Sequence, residues 1–332
     1  MKVTFFSAKP YDKQFFDRCN KAFGFQFEYF ETHLGPHIVN AVEQADAVCV
    51  FVNDKLTREV ISALASRQVR IIALRCAGFN NVDLQAAKEH GISVCRVPAY
   101  SPQAVAEYTA AMLMTLIRKT HKAYNRVREQ NFSLNGLLGS NIYHKTIGVI
   151  GTGKIGKAFC RIMQGFDTRV MAYDLAPDAQ LQEAGVQYAG LEEVLAQSDI
   201  ISLHCPLTKN NHHLINKDTL AKMKPGVILI NTSRGGLICT ADMIQALKDR
   251  QVGALGIDVY EQEENLFFRD LSGSIIDDDE IQRLMSFPNV LITGHQAFFT
   301  EEAMSQIAQI TLENINYLLK GTEPGDSSAI LV

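Results

Sequence analysis

The segment Thr146-Ile147-Gly148-Val149-Ile150-Gly151-Thr152-Gly153-Lys154-Ile155-Gly156 constrains this chain more than any other. A short apolar run ends in Gly-x-Gly-x-x-Gly, and a helical run from Lys157 to Gly165 follows. Strand, tight glycine turn and helix in direct succession open a parallel βαβ unit. The glycine pattern alone is a weak signal; its flanks give it weight. Gly151 permits the tight turn, Gly153 lets the backbone approach a pyrophosphate, and Gly156 lets helix and strand pack closely. A helix N-terminus adds N–H donors and partial positive charge, so Lys154 and Ile155 sit where backbone contacts to phosphates fall. The next strand ends at Asp174, 18 residues beyond Gly156. Its carboxylate is placed to accept the ribose hydroxyls of an adenosine, and it would repel a 2′-phosphate. No arginine follows through Asp178, so NAD rather than NADP is the expected cofactor.

The rest of the chain continues the alternation. Strands are expected at 3–7, 25–30, 47–52, 70–74 and 92–96, with helices at 12–23, 57–66 and 83–90 between them. A second series runs through 147–151, 169–174, 200–204, 227–232, 255–259 and 290–293. Buried runs alternating with amphipathic helices predict parallel sheets covered on both faces. At 332 residues the chain exceeds one ordinary core. Two long helices, 103–119 and 301–319, bracket the second series. This predicts an α/β protein of two doubly wound domains, one of residues 1–99 with 300–332 and the other of 100–299. The 103–119 helix is apolar on nearly every side, as in a core or an interface. It is the basis for expecting a homo-oligomer, a dimer or tetramer.

Composition narrows the partners. Hydrophobic residues are 47% and charged residues 20%, which suits a packed protein. A net charge of -4 without a basic run argues against nucleic acid. No apolar stretch approaches the length of a membrane span, so no membrane partner is expected. The seven cysteines are odd in number and hold no Cys-x-x-Cys pair, which fits free thiols in a reducing cytoplasm. His204-Cys205 and His212-His213 lack metal-ligand spacing, so no metal is expected and the histidine pair reads as solvated loop.

Three later strand ends carry chemistry. Asn231-Thr232-Ser233-Arg234-Gly235 follows one, Asp258-Val259-Tyr260-Glu261 the next with Glu263 just beyond, and Gly294-His295-Gln296-Ala297 the last. Ligands of open α/β sheets bind at carboxyl ends of strands. Reducing a 2-keto acid requires a cation for its carboxylate, a proton donor for its ketone and a hydride. Arginine offers a bidentate fork, histidine exchanges a proton near neutrality, and a carboxylate orients the histidine. Each residue alone has a plain reading: a surface ion pair, a solvated acid, a structural histidine. Their joint placement downstream of a dinucleotide turn carries the inference.

With these motifs the sequence resembles the D-isomer-specific 2-hydroxyacid dehydrogenases over essentially its whole length. Gly-Thr-Gly-Lys-Ile-Gly, Asn-Thr-Ser-Arg-Gly, Asp-Val-Tyr-Glu and Gly-His-Gln-Ala-Phe stand in that family's order. Segments 75–80, 97–102, 131–134 and 264–268 point to its lactate-forming members. The resemblance implies a flavodoxin-like substrate domain and a Rossmann NAD-binding domain. It implies that Arg234 binds the substrate carboxylate, that His295 moves the proton and that Glu263 supports His295. Asp258 is expected near the nicotinamide, and Cys205, Pro206, Asn211, Thr232 and Ser233 in the cofactor cleft. Backbone N–H groups of Ala77 and Gly78 are expected on the substrate carboxylate, with Tyr100 closing over it. Tyr100 and Phe298 are the expected walls of a pocket small enough for pyruvate and D-lactate. Hydroxypyruvate, glyoxylate or a bulkier keto acid remain alternatives, as does an NAD-sensing binding protein. Glu261 is a second acid that spacing alone does not separate from Glu263; the resemblance selects Glu263. Cys239 departs from the family, which more often has an acid there.

Overall fold

The computed structural model describes residues 1–322 and 326–332. Two units separate along the chain: residues 1–101 with 299–332, and residues 102–298.

The first unit is built on strands β1 (Lys2–Phe5), β2 (Gln26–Tyr29), β3 (Ala47–Val50), β4 (Ile71–Leu74) and β5 (Ser93–Arg96), with helices α1 (Pro10–Asn20), α2 (Arg58–Ser66) and α3 (Leu84–Glu89). The sheet order is β2-β1-β3-β4-β5, and each pairing is parallel. This is the flavodoxin-like doubly wound order. Every residue of β3 and β4 is buried, which explains their unbroken apolar runs. The chain returns to this sheet as the helix Glu301–Leu319. Its Ala303, Met304, Ile307, Ala308, Leu312 and Ile315 form one buried stripe at helical spacing. At the end of β4, Arg75 is 2% exposed, donates to the carbonyls of Phe6 and Ser7 and pairs with Asp12. It thereby anchors the strand end from which Ala77 and Gly78 leave.

The second unit opens with α4 (Pro102–Arg118) and α5 (Thr120–Arg128). Then follow β6 (Thr146–Ile150), α6 (Lys154–Gln164), β7 (Arg169–Tyr173), α7 (Ala179–Glu183), β8 (Gln187–Tyr188), α8 (Leu191–Gln197), β9 (Ile200–Leu203), α9 (Lys217–Leu220), β10 (Val227–Asn231), α10 (Thr240–Lys248), β11 (Val252–Ile257), α11 (Asp279–Ser286) and β12 (Val290–Ile292). The parallel sheet runs β12-β11-β10-β9-β6-β7-β8. Its seventh strand, β8, is two residues long and leaves no apolar run to read. Helix α6 begins at Lys154, three residues before the expected start. Lys154, Ile155 and Gly156 are therefore its first turn.

Helix α4 packs largely within its own unit. Ala106, Met112, Leu113, Leu116 and Ile117 pack in one cluster with Ile147, Val149, Phe159 and Ile230. Gly256 on β11 makes room: a Cβ there would lie 2.9 Å from Leu116 Cδ1 and 3.0 Å from Met112 Cγ. Much of the apolar surface of α4 is thus packed within its own unit, while Tyr108, Ala110 and Met114 stay half-buried.

Candidate active site

Strand order reverses at β6, which has β7 on one side and β9 on the other. That reversal is where open α/β sheets hold their ligands. Gly151 leaves β6 at φ 95°, and a Cβ there would lie 2.5 Å from Cys205 N, so both conformation and space demand glycine. A Cβ on Gly156 would lie 2.0 Å from Gly151 O, so helix and turn pack as closely as the motif implies. Gly153 differs: nothing lies within 4 Å of its Cβ position. It caps α6 with no side-chain hydrogen bond. An uncapped helix N-terminus facing open space suits a pyrophosphate.

Asp174 closes this turn. Its Oδ2 accepts from Thr152 N at 2.5 Å and Thr152 Oγ1 at 3.1 Å, and its Oδ1 from Ala176 N at 2.9 Å. Burial pulls its pKa up, but the N–H donors of Ala176 and Thr152 outweigh that and hold it below the ordinary value. The group is an anion at neutral pH, as a ribose acceptor must be. Tyr188 OH donates to Thr152 Oγ1 at 2.8 Å and braces the turn from the edge of the sheet. The sequence reading missed Tyr188 because β8 is so short.

Across the reversal, Asn211 holds the loop after β9, donating to Pro206 O at 2.7 Å and accepting from Thr208 N at 2.7 Å. Ser233 Oγ donates to Cys205 O at 2.7 Å, tying this loop to the one after β10. Thr232 Oγ1 shares a hydrogen bond with Thr109 Oγ1 at 2.8 Å. Burial pushes the Cys205 thiol up to about 11, so it is neutral. Burial also drives His204 down to about 3, and its Nε2 engages Ser202 Oγ at 2.9 Å.

Arg234 stands at the carboxyl end of β10. The buried Asn231 amide donates to Arg234 O at 2.9 Å and accepts from Ser233 N at 3.0 Å, which fixes the turn. Gly235 presses this turn onto the loop after β11, where a Cβ would lie 2.1 Å from Tyr260 C. On that loop, Glu263 Oε2 accepts from Tyr260 N at 2.9 Å, and Glu263 Oε1 lies 2.8 Å from His295 Nδ1. Nδ1–H therefore donates to the carboxylate, which leaves Nε2 for proton exchange with substrate.

His295 itself sits at φ 54°, left-handed backbone that a non-glycine residue rarely adopts. Asp258 holds it there. The buried Asp258 carboxylate accepts from Thr293 Oγ1 at 2.5 Å, Gln296 N at 2.9 Å and Ala297 N at 2.8 Å. His295 N donates to Asp258 O at 2.7 Å. Burial raises the pKa of Asp258 despite these donors. The resemblance implies a place near the nicotinamide for Asp258; both of its carboxylate oxygens are engaged by the histidine turn.

Other expected residues fall elsewhere. Glu261 is not at His295 but 2.5 Å from His213 Nε2. His213 N donates to Gly236 O at 2.8 Å, so this segment is docked rather than the solvated loop expected. Phe298 is only 8% exposed, whereas Phe299 is 47% exposed and meets Tyr11 edge-on at 4.8 Å. Phe298, the ring expected to wall the pocket, is therefore largely buried. Ala77, Gly78 and Tyr100 belong to the first unit. Ala77 O accepts from Arg96 Nη1 at 3.0 Å, which orients that loop. Cys239 caps α10 without a side-chain hydrogen bond. Glu261 Oε2 instead accepts from Thr240 N at 3.2 Å and Oγ1 at 2.9 Å.

Comparison with known proteins agrees with this geometry. Residues 110–297 match the family described as D-isomer specific 2-hydroxyacid dehydrogenase, NAD binding domain. The chain is 53% identical over 321 residues to a 2-hydroxyacid dehydrogenase homolog of Haemophilus influenzae, covering 97% of each. It is 51% identical over 321 residues to a D-lactate dehydrogenase of Escherichia coli, covering 97% of this chain and 98% of that one. The apo-structure of D-lactate dehydrogenase from Escherichia coli covers 100% of both chains at 48% identity, with a TM-score of 0.92. Sequence, fold and nucleotide turn together place this chain in the NAD-dependent, D-isomer-specific 2-hydroxyacid dehydrogenase family.

Proposed function

We propose that this enzyme interconverts pyruvate and D-lactate. The observation that carries the reading is the His295 Nδ1 to Glu263 Oε1 hydrogen bond, which joins the turn after β12 to the loop after β11, the strand beside Arg234's β10. Arg234 holds the substrate carboxylate through its planar fork. His295 Nε2 donates a proton to the ketone oxygen in reduction and removes it from the hydroxyl in oxidation. Glu263 fixes the ring's tautomer and orientation through Nδ1. NADH bound on Gly151–Gly156 and Asp174 supplies the hydride. Ala77, Gly78 and Tyr100 are assigned to substrate contact on the family resemblance alone. Cys205, Pro206, Asn211, Thr232 and Ser233 are assigned to the cofactor cleft on the same ground.

The test is loss of NADH absorbance with pyruvate, hydroxypyruvate, glyoxylate, 2-ketobutyrate and phenylpyruvate, with chiral analysis of the product. Pyruvate should give the highest kcat/KM and D-lactate the product. A higher value for another keto acid would reassign the substrate, and NADH binding without consumption would make the chain a sensor. His295→Gln should lose about 10²–10⁴-fold in turnover while still binding NADH.

A homo-oligomer is also proposed, on different ground from the sequence reading. Tyr124, Val127, Phe132, Leu134, Leu138 and Tyr143 of the second unit are 50–87% exposed. Six large apolar side chains exposed within one stretch of chain favour association, and a second copy of the chain is the proposed occupant. A monomer in sedimentation at micromolar concentration would refute this. A cytoplasmic location is proposed from the seven free cysteines.

A further inference from the structure

Three side chains outside the catalytic set converge beside the Arg234 turn. His212 and His213 are consecutive, and His213 sits at φ 53°. Their rings face each other at 3.8 Å between centroids, tilted 34°. Glu261, 48 residues further along the chain, brings Oε1 to 2.5 Å from His213 Nε2. One donor atom from each of the three lies within 4.8 Å of the others. Both imidazoles and the carboxylate are therefore within reach of a single ion, given a small rotation about the side chains.

The surroundings support these groups. Glu261 Oε2 is held by Thr240 N and Oγ1, which orients the carboxylate toward the histidines. The segment carrying them is docked through His213 N to Gly236 O. The His212 ring lies over this turn, its Nε2 3.6 Å from where a Cβ on Gly236 would stand. His212 is exposed while His213 and Glu261 are half-buried, so an ion has a path from solvent and room for water ligands. An oriented ligand backed by a second hydrogen-bonded group is the usual construction of a metal site.

We propose that His212, His213 and Glu261 form a binding site for one divalent transition metal ion, of which zinc is the type. Two imidazoles and one carboxylate suit zinc, cobalt or nickel and not calcium or magnesium, which prefer oxygen donors. The ion has no part in hydride transfer. It joins the segment before α9 to the loop after β11, with the Arg234–Gly236 turn between them. Glu263 is two residues beyond Glu261 on the same loop. Binding therefore stabilises the second unit by linkage, because the unfolded chain does not hold these three groups together.

The experiment titrates chelator-treated full-length protein with zinc chloride, following heat of binding and Tm, and with cobalt(II), following visible absorbance. The comparison variants are His212→Asn, whose ring is exposed and whose loss leaves the His213–Glu261 pair intact, and Glu261→Gln, which retains the Thr240 contacts. One equivalent should bind, Tm should rise with zinc, and both variants should weaken binding by about tenfold or more. Cobalt should give bands of nitrogen and oxygen ligation. Unchanged binding in both variants, or a thiolate charge-transfer band, would assign the ion to cysteine and overturn the proposal. Absence of any Tm shift at millimolar zinc would overturn it equally.

Discussion

His295 Nδ1 lies 2.8 Å from Glu263 Oε1, and the other oxygen of that carboxylate is held by Tyr260 N at 2.9 Å. The histidine therefore has a partner whose own orientation is fixed by backbone. Glu263→Gln keeps a group of the same shape but removes the charge. The amide can turn either its oxygen or its nitrogen toward Nδ1, so the ring is held less firmly and kcat for pyruvate should fall while KM for NADH holds. Steady-state kinetics read this directly. An unchanged kcat would show that the pair is structural.

Asp258→Asn tests whether the histidine turn is held from below. An amide presents one acceptor and one donor where Gln296 N, Ala297 N and Thr293 Oγ1 now find two acceptors. One buried N–H then faces a donor, which costs about 1–3 kcal/mol, partly offset because the buried charge is gone. His295 at φ 54° loses its clamp, so kcat should fall more than NADH affinity. Wild-type kcat with an unchanged urea midpoint would dismiss the clamp.

How far the sequence could be read follows from where each partner lies in the chain. The turn Gly151–Gly156 and Asp174 were legible because strand, glycines and acid follow one another within a single βαβ unit. The partnership of His295 was legible only as two candidates, Glu261 and Glu263, because spacing on an irregular loop gives no direction. The structure separates them by turning one toward His213 and the other toward His295. Asp258 was seen but not its task, since that depends on three donors from a turn beginning 35 residues later. The apolar run of α4 reads equally as core or interface, because composition does not distinguish one buried surface from another. Gly256, which seats it, is remote in sequence. His212 and His213 read as solvent-facing because nothing nearby announces Glu261.

Asp174→Ala should weaken discrimination between cofactors. The carboxylate is ionised and faces the turn that receives the dinucleotide. Hydrogen bonds to a charged group contribute about 1.5–3 kcal/mol, roughly 10–150-fold, so KM for NADH should rise by that order. NADPH loses no such contact and is relieved of repulsion, so the ratio of kcat/KM for NADH over NADPH should narrow. A constant ratio would remove Asp174 as the discriminating group.

Asp199 offers a stability test away from the site. Its Oδ2 accepts from Thr146 N at 2.8 Å, and its Oδ1 pairs with Lys224 Nζ at 2.9 Å. Burial raises its pKa, but the Thr146 N–H and Lys224 outweigh that, and the carboxyl is held below its ordinary value. The folded chain thus binds this proton more weakly than the unfolded chain. Its contribution is complete above the unfolded carboxyl range, near about pH 4, and is lost as pH falls through the folded value. Asp199→Asn keeps an acceptor for Thr146 N and discards the charge. Lys224 is 41% exposed, so solvent screens the pair, and the loss near neutral pH should be only about 0.2–1 kcal/mol. The gap between parent and variant urea midpoints should therefore be present at pH 7 and close toward pH 3. A gap that stays constant over that range would mean that packing around Asp199, and not its charge, sets the difference.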